Sequence, residues 1–426
     1  MEKSRMAYLR ARLIQKRRRA DLRYKYYENK FVVNDFGIST PPKLQNINTK
    51  LGWCNIAVDA LADRLVFKEF RNDAFDMMEI FNMNNPDIFF DSAILSALIT
   101  SCCFVYISKG EDERVRLQVI DSLNATGIID PITGLLTEGY AVLDNDENGA
   151  PILEAFFEKD KTTYYKKNKK TNEVENPTGH PLLVPIIYKP DAVRPFGHSV
   201  ITRSCMDLIQ SACRTLKRTE ISAEFYSYPQ KYVTGLSENF EDLDKWKASM
   251  SAMMMFTKDE DGDSPKVGQF SQQSMAPHVE ELRSLASTFA GETGLTLGDL
   301  GFATDNPSSA ESIKASHEAL RLKARKAQRC FGTGFLNVGY VAVCLRDEYA
   351  YERNQVYLTE PVWSPIFEPD AAMLSAIGDG AIKINQAVPG YFNKDNLRDL
   401  TGIEESSEEV IQTTDTSQNL ALGDEL

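Results

Sequence analysis

Residues 291–311 read Gly291-Glu-Thr-Gly294-Leu-Thr-Leu-Gly298-Asp-Leu-Gly301-Phe-Ala-Thr-Asp-Asn-Pro307-Ser-Ser-Ala-Glu311, a glycine-punctuated break between two helical patterns. Upstream, Val279, Leu282, Leu285, Ala286 and Phe289 recur at the spacing of a helix face. Downstream, Ile313, Leu320, Ala324, Ala327, Phe331, Phe335, Val338, Ala342 and Leu345 keep the same period. Ser308-Ser-Ala-Glu311 has the form of a capping box, in which serine and glutamate each satisfy a backbone amide at a helix start. Pro307 stops a helix from running through from the other side. The expectation is a tight loop clamped between two helices. That suits a structural element that projects into something better than it suits an enzyme core.

Working outward, Phe196-Gly-His-Ser199 is expected to open a helix with the apolar face Val200, Ile201, Cys205, Leu208, Ile209, Ala212 and Leu216, running to about Phe225. Residues 226–272 turn irregular, with a strand-like Lys231-Tyr-Val-Thr234, a short helix near Leu243–Met255 and a polar turn over Lys258–Pro265. A helix ending near Ala290 brings the chain back. Nearer the amino terminus, residues 50–65 and 86–100 read as helices and Cys103–Ser108 as a buried strand. From Val115 to about Tyr188 short β-forming runs such as Arg116-Leu-Gln-Val-Ile120 alternate with turns at Asp130-Pro, Thr133-Gly, Asn148-Gly and Asn176-Pro. After the long helix, Arg353–Phe367 reads as strand, and Asp370–Ile384 and Asn393–Leu400 as short helices. From Asp399 onward there are eight carboxylates and no lysine or arginine, a composition expected to be disordered.

At 426 residues the chain exceeds what one core usually organises, so two or more substructures are expected. The longest apolar stretch, Ala93 to Ile107, falls short of the ~20 residues that cross a bilayer. The basic amino terminus is not followed by the apolar segment of a secretory signal. Seven cysteines without paired spacing point to free thiols in a reducing compartment, and Cys102-Cys103 to packing. A net charge of −13 speaks against a tight grip along duplex DNA. Within that acidic balance, residues 1–30 are strongly basic (Lys3, Arg5, Arg10, Arg12, Lys16, Arg17, Arg18, Arg19, Arg23 and Lys25), with Tyr8, Leu9, Leu13 and Ile14 as a weak helical face. Such a helix could contact nucleic acid, stand in solvent, or lie as an arm on a neighbouring subunit.

Catalytic chemistry is hard to find. There is no G-x-x-x-x-G-K-[ST] phosphate loop, and Gly332-Thr-Gly334…Gly339 lacks dinucleotide spacing; small residues there are expected to admit a close neighbour. The four histidines, His180, His198, His278 and His317, have no metal-ligand spacing, and His317 is expected to be a surface or interface residue. Cys205 and Cys213 share one helix face, which is core or interface spacing. Lys258-Asp-Glu-Asp-Gly-Asp-Ser264 resembles a calcium loop but lacks the closing glutamate, so a solvated turn is the better account. Met253-Met-Met255 fits either an adaptable partner surface or buried packing. Lys314, Arg321, Lys323, Arg325, Lys326 and Arg329 crowd the start of the long helix; pairing with acidic residues of an adjacent subunit is preferred for most, with phosphate contact kept for Lys314. No cofactor or metal is expected.

The run Asn306-Pro-Ser-Ser-Ala-Glu-Ser-Ile-Lys-Ala-Ser316, continuing to Ala324-Arg-Lys-Ala-Gln-Arg-Cys-Phe-Gly-Thr-Gly-Phe335, resembles the portal proteins of long-tailed, siphophage-type double-stranded DNA bacteriophages. Tyr26-Tyr27, Trp53-Cys-Asn-Ile-Ala-Val-Asp-Ala-Leu-Ala-Asp-Arg-Leu65, Phe70-Arg71, Arg194-Pro-Phe-Gly-His-Ser-Val-Ile-Thr202, Ala223-Glu-Phe-Tyr-Ser-Tyr-Pro-Gln-Lys-Tyr232 and Trp363-Ser-Pro before Asp370-Ala follow in the same order, over roughly residues 20 to 400. The resemblance implies an α+β portal fold. Its parts would be a basic arm (1–29), an α/β wing (30–195), a first stem helix (196–225), a clip (226–272), a second stem helix (273–295), a tunnel loop (296–307), a long helix (308–345), a wing strand (346–369), a helical crown (370–403) and an acidic tail (404–426).

It further implies a non-enzymatic subunit of a ring of about twelve at one capsid vertex, in the virion and assembled in the host cytoplasm. Implied partners are further copies of the chain, double-stranded DNA passing without sequence specificity, the large terminase, a head–tail adaptor, and the major capsid and scaffolding proteins, with no membrane. Gly298, Asp299, Gly301, Thr304, Asn306, Ser308 and Lys314 would face DNA, and Lys231, Met254, Lys258 and Asp261 would serve partner docking at the clip. The rival readings are another capsid or adaptor protein and, further off, a nucleic-acid-processing enzyme.

Overall fold

A computed structural model describes residues 2–34, 48–167, 169–227, 231–234, 266–269, 271, 274–302, 315–356, 358–367, 369 and 371–403. The chain divides into two units, 1–363 and 364–426. The fold is α+β. In order, the first unit holds α1 (Glu2–Tyr27), α2 (Trp53–Ala62), β1 (Phe67–Arg71), α3 (Met77–Asn82), α4 (Pro86–Thr100), β2 (Cys102–Lys109), β3 (Val115–Ile120), β4 (Ala125–Ile129), β5 (Leu136–Asn145), β6 (Pro151–Phe157), β7 (Lys161–Lys166), β8 (Lys169–Glu175), β9 (Leu183–Ile187), α5 (Arg203–Ser227), β10 (Lys231–Thr234), β11 (Lys266–Gln269), α6 (Ala276–Thr293), α7 (Glu318–Arg346) and β12 (Glu360–Trp363).

Strands β4 to β8 form a sequential antiparallel sheet, and β3-β2-β9 a second antiparallel sheet. Strand β2 reads as an unbroken apolar run because it is the central strand of its sheet: Cys102, Cys103, Phe104, Val105 and Ile107 are all buried. At the other extreme, β8 is exposed at every position and carries lysines, the usual protection of an edge strand. Strand β1 pairs with β12, Phe67 opposite Trp363, so the chain returns to its own beginning after nearly the whole first unit.

Helix α7 organises the core. Leu320, Ala324, Ala327, Phe331, Phe335, Val338, Ala342 and Leu345 are all buried, as their period requires. Phe335 sits among the rings of Phe67, Phe89, Phe90 and Trp363, with centroid distances of 5.6, 6.2, 4.8 and 6.1 Å. The glycines of this helix are contact points: a Cβ on Gly334 would stand 2.9 Å from Ile186 Cδ1, and one on Gly339 would stand 2.8 Å from Met77 Sδ. A strand of one sheet and helix α3 therefore both press against the helix where it has no side chain.

Helix α1 docks on its own chain. Met6, Leu9 and Leu13 pack with Tyr140, Val142, Phe156 and Tyr165 of the five-stranded sheet. Tyr8 and Ile14, expected on the same face as Leu9 and Leu13, point to solvent at 53% and 59% exposure. The inner face runs through Met6 instead. Arg5 pairs with Glu138 at 3.0 Å, and Arg10 with Glu154 at 2.6 Å. The Glu154 side chain is only 3% exposed and also accepts from the Tyr140 hydroxyl. Arg10→Ala would strand that carboxylate, so it should lower stability by about 2–3 kcal/mol in urea unfolding, less than a fully buried pair because Arg10 is 38% exposed.

Two element boundaries differ from expectation. Helix α5 begins at Arg203 and not at Phe196. The preceding segment is pinned as turns, His198 N donating to Tyr188 O (3.0 Å), Val200 N to Leu98 O (3.0 Å) and Ser199 Oγ to Ile99 O (2.5 Å). The Val200 amide, which a helix starting at Phe196 would turn onto Phe196 O, is spent on Leu98 O instead. Among the described residues of 353–367 only Glu360–Trp363 is strand, and Arg353–Val356 is a 3-10 turn whose arginine reaches the side chain of Asn337.

Helix α5 packs along α6, with Arg218 and Glu281 3.7 Å apart, and the β10–β11 pair, Lys231 opposite Gln269, lies between them in sequence. Val279, expected inward on α6, is 58% exposed, whereas Ala286, Phe289 and Ala290 are buried. All seven cysteines are free, and Cys205 and Cys213 are both buried. The second unit holds α8 (Ala371–Ala387) and α9 (Lys394–Thr401), which pack on each other. Asn393 caps α9 by accepting from Asn396 N, and the Asn385 amide brackets the backbone of Phe392.

Candidate functional site: the glycine break between α6 and α7

Helix α6 ends where Gly294 turns left-handed (φ 79°) and its amide bonds Ala290 O. The last turn is also closed from outside, since Lys323 on α7 donates to Glu292 O at 2.9 Å. Burial, with Lys189 nearby, pushes the Lys323 ammonium below its usual range. Beyond Gly294 the chain stays tied to the body by Leu295 and Leu300, each 7% exposed, and by Trp53, whose ring lies 5.5 Å from Phe289 and 6.5 Å from Phe302.

Between those apolar anchors lies a polar clasp. The Asp299 carboxylate accepts from Thr296 N (2.7 Å) and Thr296 Oγ1 (2.9 Å), while Asp299 N donates back to Thr296 Oγ1 (3.2 Å). His317, immediately before α7, places Nε2 3.2 Å from both Asp299 oxygens. One carboxylate thus joins the two sides of the break. Partial burial raises the Asp299 carboxyl, but the Thr296 donors and the His317 ring outweigh it and hold the group below its ordinary value of 3.8. A depressed folded-state value means that the clasp stabilises above the ordinary value and fades as pH falls through the folded one. Asp299→Ala should therefore cost about 1–2 kcal/mol in urea unfolding at pH 7, and the gap to the parent should narrow at pH 3.

Gly301 is left-handed (φ 86°) with open space around it, and its amide bonds Gly298 O at 3.0 Å. Gly298 is not left-handed, and a Cβ there would make only ordinary contact with Thr296 Oγ1 at 3.5 Å. The backbone needs glycine at 301, not at 298.

The structure brings Gly298, Asp299 and Gly301 of the expected loop together, all on the α6 side of the break. Thr304, Asn306, Ser308, Lys314, Met254, Lys258 and Asp261 lie outside the described residues, as do the capping box, the polar turn and the acidic tail. Lys231 is placed by its backbone in β10. The basic stripe on α7 divides. Arg321 makes a bidentate pair with Glu318 of its own chain at 2.6 Å, and Lys323 caps α6, so neither awaits an acid from a neighbour. Arg325, Lys326 and Arg329 are exposed. The latter two line a cavity of about 570 Å³ together with Asn337, Asp130 and Asp191.

His317, expected as a surface or interface residue, is 13% exposed and bound to Asp299 of its own chain. Eighteen residues separate the pair across a break, so no local spacing could reveal it. Among the described residues no group of His, Cys, Asp and Glu is placed to hold a metal, and no helix is long and apolar enough to cross a membrane.

A model of the phage portal protein family, SPP1 Gp6-like, matches residues 7–371. The portal protein of Mycobacterium phage L5 is 23% identical over 396 residues, covering 88% of this chain and 80% of that protein. The portal protein of Mycobacterium phage D29 is 24% identical over 418 residues, covering 92% and 84%. Among solved structures, a chain from the neck of a native gene transfer agent particle, computed with C12 symmetry, aligns with TM-score 0.45 and 14% identity over 83% of this chain and 90% of that one. With a family match running from inside α1 through the glycine break and α7 to the start of α8, the chain belongs to the SPP1 Gp6-like family of phage portal proteins.

Proposed function

We propose that this portal subunit assembles into a closed ring of about twelve copies at one capsid vertex, through which the genome enters and leaves. The observation that carries the reading is the order α5, β10–β11, α6, glycine break, α7, with the break clasped at its base by Asp299 and His317. Helices α5 and α6 are the stem, the intervening segment with β10 and β11 is the clip, and the break is the tunnel loop facing DNA. The two sheets with α1 to α4, α7 and β12 make the wing, and α8 and α9 the crown. Lys314 and the exposed Arg325 suit brief contact with phosphate. The net charge of −13 suits a passage that does not hold the duplex.

The chain performs no catalysis in this role. A motor supplies the work, the large terminase docks on the clip during packaging, and a head–tail adaptor replaces it afterwards. Major capsid and scaffolding proteins surround the wing during assembly in the host cytoplasm, and the subunit stays in the virion. The copy number per particle separates this reading from a shell protein: quantitative mass spectrometry of purified particles should return about twelve copies. A stoichiometry equal to that of the major capsid protein would reject it.

A further inference from the structure

The basic amino-terminal helix does more than dock. Arg12, Lys16, Arg19 and Arg23 lie along one side of α1, and Arg194 stands opposite on the turn before α5; all five line a cavity of about 290 Å³. Lys16 Nζ lies 3.9 Å from the centre of the buried Phe196 ring, and Arg12 Cζ 5.6 Å from it. Arg23 donates to the Thr100 carbonyl at the back. Arg12, Lys16 and Arg23 are half-buried, while Arg19 and Arg194 are exposed at the mouth. Among the described residues that line the cavity there is no carboxylate.

This is unusual for a chain with an excess of acid. Elsewhere on α1, Arg5, Arg10 and Lys25 each have a carboxylate partner. At the cavity, by contrast, Arg23 is spent on the Thr100 carbonyl and Arg194 Nη1 lies 3.4 Å from His198 Nδ1, whose Nε2 meets Asp191, so no carboxylate reaches the lining itself. Burial pushes the Lys16 ammonium down to about 8 with Arg12 adding to the effect, and burial with Arg194 and Arg19 lowers Arg23. A second, independent observation points the same way. Ser122 and Thr126 are also lining residues, and the hydroxyl oxygen of each is buried without a hydrogen-bond partner among the described residues. Thr126 is 1% exposed, so bulk water does not satisfy it.

We infer that this cavity is an oxyanion site that takes a phosphate group, held by the guanidinium and ammonium groups of α1 and Arg194 and by the two hydroxyls. A phosphate offers oxygens in several directions, enough for guanidinium forks on two sides and hydroxyls behind. A carboxylate has two oxygens in one plane and would leave part of this donor set unmet. The cavity lies between α1, β4 and the 193–197 turn, apart from the glycine break, so the site does not depend on the channel reading.

The test is isothermal titration calorimetry of the full-length protein with inorganic phosphate at fixed ionic strength. Saturable one-site binding is expected, weakened at least ~10-fold by Arg19→Glu with Arg194→Glu, which removes charge-assisted donors from the exposed mouth and leaves the core untouched. Lys16→Met is the second variant and should weaken binding in the same direction. A short DNA duplex distinguishes the sources: duplex binding that phosphate displaces and the double variant loses assigns the site to a nucleic-acid backbone, and phosphate binding alone assigns it to the free ion. Three results would overturn the inference: no saturable binding of either ligand, equal binding by parent and double variant, or displacement of phosphate by equimolar acetate or polyglutamate, which would make it a seat for a carboxylate-bearing segment.

Discussion

Heads assembled with a Gly298→Pro/Gly301→Pro subunit should form normally and remain largely empty of DNA. The chemistry acts at both positions. Gly301 sits at φ 86° and donates its amide to Gly298 O, whereas proline fixes φ near −65° and has no amide to give. Proline at 298 also drives Leu297 away from helical angles, although Leu297 O accepts the amides of Leu300 and Phe302. The loop base would therefore be rebuilt while Trp53, Phe289 and the helices stay packed. Electron micrographs and the DNA content of purified heads give the readout, and filled heads at the parental frequency would reject a DNA-facing role for the loop. Alanine variants guard against simple misfolding. Gly301→Ala should cost about 1–2 kcal/mol for a left-handed non-glycine residue, and Gly298→Ala should be near neutral, by urea unfolding of the purified protein.

Phe335→Ala should have the largest effect on stability, about 3–5 kcal/mol. The ring is fully buried, and it touches both ends of the first unit: Phe67 on β1, Phe89 and Phe90 on α4, and Trp363 on β12. Removing it opens a cavity that four other rings cannot fill without leaving their own packing. Expected results are a lower urea midpoint and a loss of soluble yield, with Phe335→Leu recovering most of the difference. A midpoint unchanged by Phe335→Ala would mean that α7 is not the core of this unit.

How much of this was legible differs by element, for physical reasons. Helix α7 announced itself because a helix buried along its length must repeat apolar residues at its own period, and Leu320 to Leu345 do so. Strand β2 was legible as an apolar run, and the glycine break as punctuation. The inner face of α1 was read partly wrong, because Tyr8 and Ile14 look as apolar as Leu9 and Leu13, and only the sheet decides which side is covered. The start of α5 was misread because Val200 and Ile201 fall in period with Cys205, Leu208 and Ile209, while the backbone hydrogen bonds of this segment belong to Tyr188 and to the end of α4. At the candidate site the glycines were visible and the clasp was not. The Thr296–Asp299 half of the clasp is local, three residues apart, but His317 and Lys323 act through tertiary contacts, and no spacing rule links Asp299 to His317 or Lys323 to Glu292.

The native mass of the purified protein, with symmetry from negative-stain images, tests the central claim most directly. The account predicts a closed ring with a central hole and a mass about twelve times that of the 47.9 kDa chain. A compact monomer or dimer persisting across several salt concentrations would contradict it.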